Sequence, residues 1–343
     1  MQVGLFDDPV FAEHEAGPGH PEHPARLEAA RVGLQEAGLE GELSPRSPRP
    51  ATREELLAVH TEAHVDLVAA TKDRSHRFDP DTAAGPHSYT AALRAAGAVA
   101  GAVDEVLDGE LDRAFCIVRP PGHHATSDRA SGFCLFNNVA VGAAQALARG
   151  LDRVAVVDFD VHHGNGTQQI FWEDPRVLYI SSHQFPYYPG TGALDEVGED
   201  EGRGFTVNLP VPAGLGDGDY SRLYRDIVEP AGRSFDPQLV LVSAGFDAHA
   251  ADPLGGMALT AAGFAELMDV CVALASGAAS GRVVAVLEGG YGLEGLASSV
   301  AASVGRLLDR PSPPLPPGAD PRTESLLTAY RKAQAPFWPV VER

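Results

Sequence analysis

The stretch Val154-Ala-Val-Val-Asp158-Phe-Asp160-Val-His162-His163-Gly-Asn165-Gly-Thr-Gln168 decides how this chain folds and where its chemistry lies. It opens as an aliphatic run, the pattern of a strand buried on both faces of a parallel sheet. Asp158, Asp160 and His162 follow at i, i+2 and i+4. Side chains alternate along a strand, so the three project together if the strand extends that far. Two carboxylates and an imidazole make a poor core and a good metal site. The carboxyl edge of a parallel sheet is also where such folds bind ligands.

Working outward, further buried-strand runs are expected at residues 2–6, 114–118, 177–181, 205–209, 239–243 and 283–287. Between them lie Ala-rich amphipathic stretches at 88–107, 138–148, 220–232 and 261–275. This alternation predicts an α/β fold, a parallel sheet with helices on both faces. Neither an internal repeat nor a linker cuts the core, so residues 1–310 read as a single domain. The Pro-rich residues 311–321 read as a surface connection that leads a C-terminal helix, 323–333, back onto the body. No run is long enough to cross a bilayer, and the N-terminus lacks a basic-then-apolar signal, so a cytoplasmic protein without membrane contact is expected. Cys116, Cys134 and Cys271 are scattered and never form a C-x-x-C pair, which argues against a disulfide framework and a thiolate zinc site. The net charge of −21 disfavours direct nucleic-acid binding, and none is expected. It suits either an acidic solubilising surface or the steering of cationic substrates.

The remaining chemically loaded residues follow other strands. Arg119-Pro-Pro-Gly-His123-His124-Ala125 succeeds the run 114–118, and adjacent histidines can hold different tasks in one pocket. Asp247 succeeds 239–243, and Glu288-Gly-Gly-Tyr291 succeeds 283–287. Together they form a testable constellation. Asp160, His162 and Asp247 would bind one divalent ion and leave a position open for water, as catalytic zinc sites do. Two carboxylates also suit iron, cobalt or manganese. Such an ion lowers the pKa of its water and polarises a carbonyl. His123 or His124 would serve as general base and acid, and Tyr291 would donate to the developing oxyanion. That is amide hydrolysis.

These motifs resemble the histone deacetylase superfamily, closest to its class II type. The resemblance runs from His20-Pro-Glu-His-Pro-Ala-Arg26-Leu through Gly132-Phe-Cys-Leu-Phe-Asn-Asn138, Ser243-Ala-Gly-Phe-Asp-Ala248 and Asp252-Pro-Leu-Gly-Gly256 to Leu287-Glu-Gly-Gly-Tyr291. It implies a deacetylase-type catalytic domain with a three-layer α/β/α arginase/deacetylase-like fold and a central, mostly parallel eight-stranded sheet. It implies one catalytic zinc ion on Asp160, His162 and Asp247, with iron or cobalt as substitutes. It implies a structural potassium or sodium ion served by Asp158, Asp160, His162 and Ser181. Carried over by motif, His123 pairs with Asp158 and stays mostly cationic. His124 is the base and then the acid, with Asn165 as its uncharged partner. Tyr291 matches the catalytic tyrosine. Gly132, Phe133 and Tyr188 match the wall of the acyl tunnel, where phenylalanine is usual at the last. Asp81 matches the rim aspartate, and Arg26 an inner arginine suggested to guide acetate release.

The tunnel implied by this resemblance takes acetyl-lysine or an acetylpolyamine. Leu254 stands where polyamine-selective relatives carry a glutamate, which favours acetyl-lysine-like substrates. The acidic surface favours polyamines. A binding module that recognises acyl-lysine without hydrolysing it is the lesser alternative. An arginase-like two-metal ureohydrolase is a third, with His163 and Asn165 as the extra ligands. Oligomeric state is not legible.

Overall fold

The computed structural model describes residues 1–312, 314–315 and 318–342. Among the described residues, eight strands form one sheet. Their order is Leu43–Arg46, Val3–Phe6, Arg113–Cys116, Val283–Leu287, Leu239–Ala244, Val154–Asp158, Val177–Gln184 and Thr206–Val211. Every pairing in it is parallel. The helices fall into two sets that pack separately on the sheet. Ser88–Leu107 lies against Asn138–Ala148, while Leu293–Leu307 lies between Ala25–Glu36 and Ala261–Leu274. A parallel sheet must bury both faces, and this three-layer α/β/α arrangement does so. The inner strands are accordingly buried along their length: all five residues of Val283–Leu287 and of Val154–Asp158 are buried, and the latter is apolar up to its last residue, Asp158.

Four neighbouring strands, Arg113–Cys116, Val283–Leu287, Leu239–Ala244 and Val154–Asp158, form the centre of the sheet. Their registers pair Val283 with Arg113 and Val240, and Leu239 with Val154, so their carboxyl ends lie level. The chain leaves these four ends through the segments that carry the chemically loaded residues. This common edge, rather than any one motif, assembles the site.

Two helices match the sequence reading to the residue, Ser88–Leu107 and Asn138–Ala148. The eighth strand, Leu43–Arg46, carries Pro45 and has no apolar run to announce it. It is an edge strand paired on one side only, where a proline is tolerated. The expected helix 220–232 is in fact Asp217–Leu223 and Glu229–Phe235, joined by a π-helical turn Tyr224–Val228. The C-terminal helix spans Arg322–Gln334 and is tied back by Tyr330, whose hydroxyl donates to Pro210 O at 2.6 Å. Pro313, Pro316 and Pro317 of the Pro-rich connection lie outside the described residues. Among those described, no helix is long and apolar enough to cross a membrane, and the three cysteines are free and buried.

A buried histidine gives this fold an acid sensitivity. His60 is 3% exposed. Its Nδ1 lies 2.9 Å from Thr126 O, a group that only accepts, so Nδ1 carries the proton. Its Nε2 accepts Asn137 N–H at 3.0 Å. Burial, then the proximity of His64, lowers its pKa to about 3. The folded ring thus binds fewer protons than the unfolded one, and the stability it confers, present at neutral pH, is lost as pH falls below the ordinary histidine value. Between pH 7 and pH 5 this loss is about 2 kcal/mol. Urea midpoints at the two pH values should show a pH loss smaller by that amount in His60→Gln. Equal losses in the two proteins would remove His60 as the source.

Candidate active site

The strand Val154–Asp158 stops at Asp158, so Asp160 and His162 do not share its face by strand alternation as conditionally expected. They stand on the following loop, where Phe159 and Val161 turn into the core and are fully buried. The apolar anchors at alternate positions leave the polar ones facing the sheet edge. There Asp160, His162 and Asp247 offer ligand atoms that all lie within 4.8 Å of one another. His162 Nδ1 lies 3.0 Å from Asp160 Oδ1 and 3.2 Å from Asp247 Oδ2.

The donor set fits a divalent cation on physical grounds. Asp160 and Asp247 are 1% and 0% exposed. Their outer oxygens are already engaged: Asp160 Oδ2 accepts Gly289 N–H and Asp247 Oδ1 accepts Val161 N–H, both at 2.8 Å. The remaining oxygens face His162. Burial, then the charge of Asp160, pushes the Asp247 carboxyl up to about 7. Two carboxylates this close in a dry site need a cation to be ionised together. Gly245 and Gly289 close the site from behind, since a Cβ at either would collide with these carboxylates.

The two histidines of the Arg119–Ala125 segment divide as their partners differ. His123 Nδ1 lies 3.0 Å from Asp158 Oδ2. Burial opposes its charge, but Asp158 and then Asp160 outweigh it and raise its pKa to about 10. His124 Nδ1 lies 2.8 Å from Asn165 Oδ1. Burial, then the charges of His123 and His162, holds its pKa well below the ordinary value. The rings sit 4.0 Å apart, centroid to centroid. Tyr291 is 9% exposed. Burial keeps its phenol protonated, against the guanidinium of Arg26, whose Cζ lies 4.9 Å from the ring centroid.

His123, His124 and Tyr291 share the wall of one pocket of about 210 Å³ with His162. The expected substrate contacts Asp81, Gly132, Phe133, Tyr188 and Leu254 all line it as well. Phe133 lies edge-on to Tyr291 at 5.9 Å, and Tyr188 edge-on to His124 at 5.1 Å. Arg26 is not in this wall. It is fully buried behind Tyr291, donating to Gly290 O at 2.6 Å and to Glu288 O. Ser181 lies beside Asp158 in the sheet register. Its Oγ is 2.9 Å from His183 Nδ1. A larger groove of about 730 Å³ between the helices Ala25–Glu36 and Leu293–Leu307 holds none of these residues.

Several residues of the site carried no role in the sequence reading. Asp252 accepts the backbone N–H of Tyr291 at 2.6 Å and of Gly292 at 2.8 Å, fixing the turn that presents the phenol. Its motif, Asp252-Pro-Leu-Gly-Gly256, was visible, but its partner lies 39 positions away. Glu22 pairs with both Arg119 and Arg26 in a fully buried cluster. Burial opposes its charge, but Arg119 and His14 hold its carboxyl well below the usual range. Asn137 caps the helix Asn138–Ala148 and donates to Ala125 O at 3.1 Å. Thr82 Oγ1 accepts Phe133 N–H at 3.1 Å, joining the two loops of the pocket mouth. Tyr187 stacks on His162 at 5.6 Å.

With this geometry in view, the chain matches the histone deacetylase domain over residues 20–307. The chain belongs to the histone deacetylase family of hydrolases. It is 43% identical over 297 residues to a protein of Archaeoglobus fulgidus named probable deacetylase, covering 86% of this chain and 83% of that one. It is 44% identical to human polyamine deacetylase HDAC10 over 97% of its length, and 42% identical to Arabidopsis thaliana histone deacetylase 15 over 93%. The chain spans only 50% and 59% of those two longer proteins. The crystal structure of the HDA15 HD domain superposes with a TM-score of 0.93 at 38% identity, covering 100% of this chain and 98% of that one. The arginase/deacetylase-type fold is therefore shared from end to end of that domain. Within this family chain, the candidate pocket opens at the carboxyl edge of the shared sheet.

Proposed function

We propose that the chain is a zinc-dependent amidohydrolase that removes acetyl groups from acetyl-lysine-like amines. The observation that carries this reading is that His162, which clusters with Asp160 and Asp247, shares the wall of one pocket with His124 and Tyr291. Asp160, His162 and Asp247 would hold the ion, which when bound acts as a Lewis acid toward water and the amide carbonyl. His124 then does the proton work. Its Nδ1–H donates to Asn165, leaving Nε2 as the acceptor. A ring held neutral by burial and by its charged neighbours is competent as a base. Having taken the proton of the attacking water at Nε2, it delivers that proton to the departing amine. His123, kept cationic by Asp158, favours this starting state. Tyr291, kept protonated, donates to the oxygen that gains charge. Phe133 and Tyr188 flank the aliphatic stem, and Asp81 stands at the lip to accept an N–H of the substrate.

A potassium or sodium ion beside the zinc belongs to the same proposal, through Asp158, Asp160, His162 and Ser181. His183 Nε2 lies 2.9 Å from the carbonyl of Gly192, so it donates and its Nδ1 accepts from Ser181. The lone pairs of Ser181 Oγ are thereby left for a cation. The two-metal alternative is disfavoured by the partners of its extra ligands. Asn165 is engaged with His124, and both ring nitrogens of His163 with Thr191 and Gln168. Among the described residues, one potential metal cluster is found.

The second substrate reading, an acetylpolyamine, is favoured by the human relative named a polyamine deacetylase. Against it stands Leu254, an apolar residue of the pocket wall. Acetate release from acetyl-lysine peptides, N-acetylputrescine and N-acetylspermidine separates the two. Cleavage of peptides supports the first reading, and cleavage of polyamines alone overturns it. Leu254→Glu should shift kcat/KM toward N-acetylspermidine by about tenfold, roughly 1.4 kcal/mol for one half-desolvated charge pair. No shift would show that Leu254 does not face the distal end of the substrate.

A further inference from the structure

A hydrogen-bonded chain lies behind the pocket wall that carries Tyr187 and Tyr188. The Glu196 carboxylate accepts the backbone N–H of Gly192 at 3.0 Å, that of Ala193 at 3.0 Å, and Gln168 Nε2 at 2.6 Å. A carboxylate only accepts, so the amide nitrogen of Gln168 must face it and Gln168 Oε1 must face away. That oxygen accepts Asn208 Nδ2 at 2.7 Å and lies 2.9 Å from His163 Nε2. The proton of His163 is then required on Nε2, because the other tautomer sets a lone pair against a lone pair. Nδ1 is left to accept, and Thr191 Oγ1 lies 2.8 Å from it. Alongside, His183 grips Gly192 O. Gly192 has φ +89°, and a Cβ there would collide with the His183 and His163 rings, so the wall segment and the two histidines are in direct contact.

We propose that Glu196 is a positioning residue for the pocket wall. One acceptor-only group sets the direction of the chain Glu196–Gln168–His163–Thr191 and holds residues 185–193 against the His162–His163 turn. Tyr187 and Tyr188 stay in register with His162 and His124 as a result. An amide at 196 still turns its oxygen to the N–H groups of Gly192 and Ala193, which sets its NH2 against that of Gln168, so Gln168 no longer has one required orientation and the direction of the chain is lost. The kinetic part of this inference rests on the deacetylase reading; the structural part does not.

The experiment combines kinetics on an acetyl-lysine peptide with histidine nitrogen NMR on labelled, zinc-loaded protein. In Glu196→Gln, KM should rise about tenfold while kcat changes less than about threefold, because substrate placement rather than proton transfer is disturbed. His163 should change from one tautomer to a mixture. Glu196→Asp keeps an acceptor-only group and should retain the Nε2–H tautomer with an intermediate KM. Thr191→Val, at an exposed residue, should raise KM with the tautomer unchanged, and decides the matter if the Glu196 variants do not fold. An unchanged KM in Glu196→Gln, with or without a tautomer shift, overturns the inference, as does a fall in kcat alone. If the wild-type protein hydrolyses no acetylated amine, the deacetylase reading fails. In that case the tautomer of His163 in Glu196→Gln still decides whether Glu196 directs the chain.

Discussion

Tyr291→Phe should lower kcat by about 10²–10³-fold, or roughly 2.7–4 kcal/mol, the usual loss on removing one oxyanion donor. The substitution deletes a hydroxyl and little else. The ring keeps its edge contact with Phe133 and its place over Arg26. The turn that presents it is fixed through backbone N–H groups on Asp252, which the variant retains. Metal content and thermal stability should therefore match the wild-type protein. KM should move little, because the lost hydrogen bond is made to charge that develops in the transition state. Single-turnover acetate release with parallel metal analysis tests this. Unchanged turnover would remove Tyr291 from its assigned role, and a loss of metal would show that the hydroxyl acts structurally.

Asp247→Ala should lose the metal and, with it, turnover by at least about 10³-fold, since the Lewis acid and the fixed donor geometry go together. The variant also strands Val161 N–H, which Asp247 Oδ1 now accepts. A buried donor left unpaired costs about 1–3 kcal/mol, so some loss of stability accompanies the loss of metal. Asp247→Asn separates the two effects, as its amide oxygen can still accept from Val161 while the charge is gone. Both variants should lose the rise in Tm that added zinc gives the wild-type protein, because an ion that binds only the folded state stabilises it by mass action. A fully metallated, active Asp247→Ala protein would mean that the ligand set is wrong.

The chain wrote down most of its sheet and its chemically loaded segments in local patterns. Buried parallel strands must be apolar on both faces, so runs such as Val154–Asp158 and Val283–Leu287 are legible without a partner in view. A histidine pair after Pro-Pro-Gly is unusual enough at a strand end to be read as chemistry, whereas the tyrosine after Gly-Gly gains that reading only in company with the other segments. The edge strand Leu43–Arg46 was not legible, because a strand paired on one side needs no apolar run. Tyr224–Val228 carries the same amphipathic pattern as the helices around it, so its π-helical turn left no mark in composition.

What the sequence by itself determined is the set of groups and the edge on which they stand. Tertiary structure alone decided how those groups differ from one another. His123 and His124 are neighbours of identical type, yet one is driven cationic by Asp158 and the other held neutral beside Asn165. Their partners lie 35 and 41 positions away. Asp252 became the support of Tyr291, and Glu196 the support of the pocket wall, through contacts that no local pattern encodes. The physical reason is that residue type and periodicity are properties of the chain, whereas desolvation, charge proximity and hydrogen-bond direction belong to the packed assembly of segments far apart in sequence.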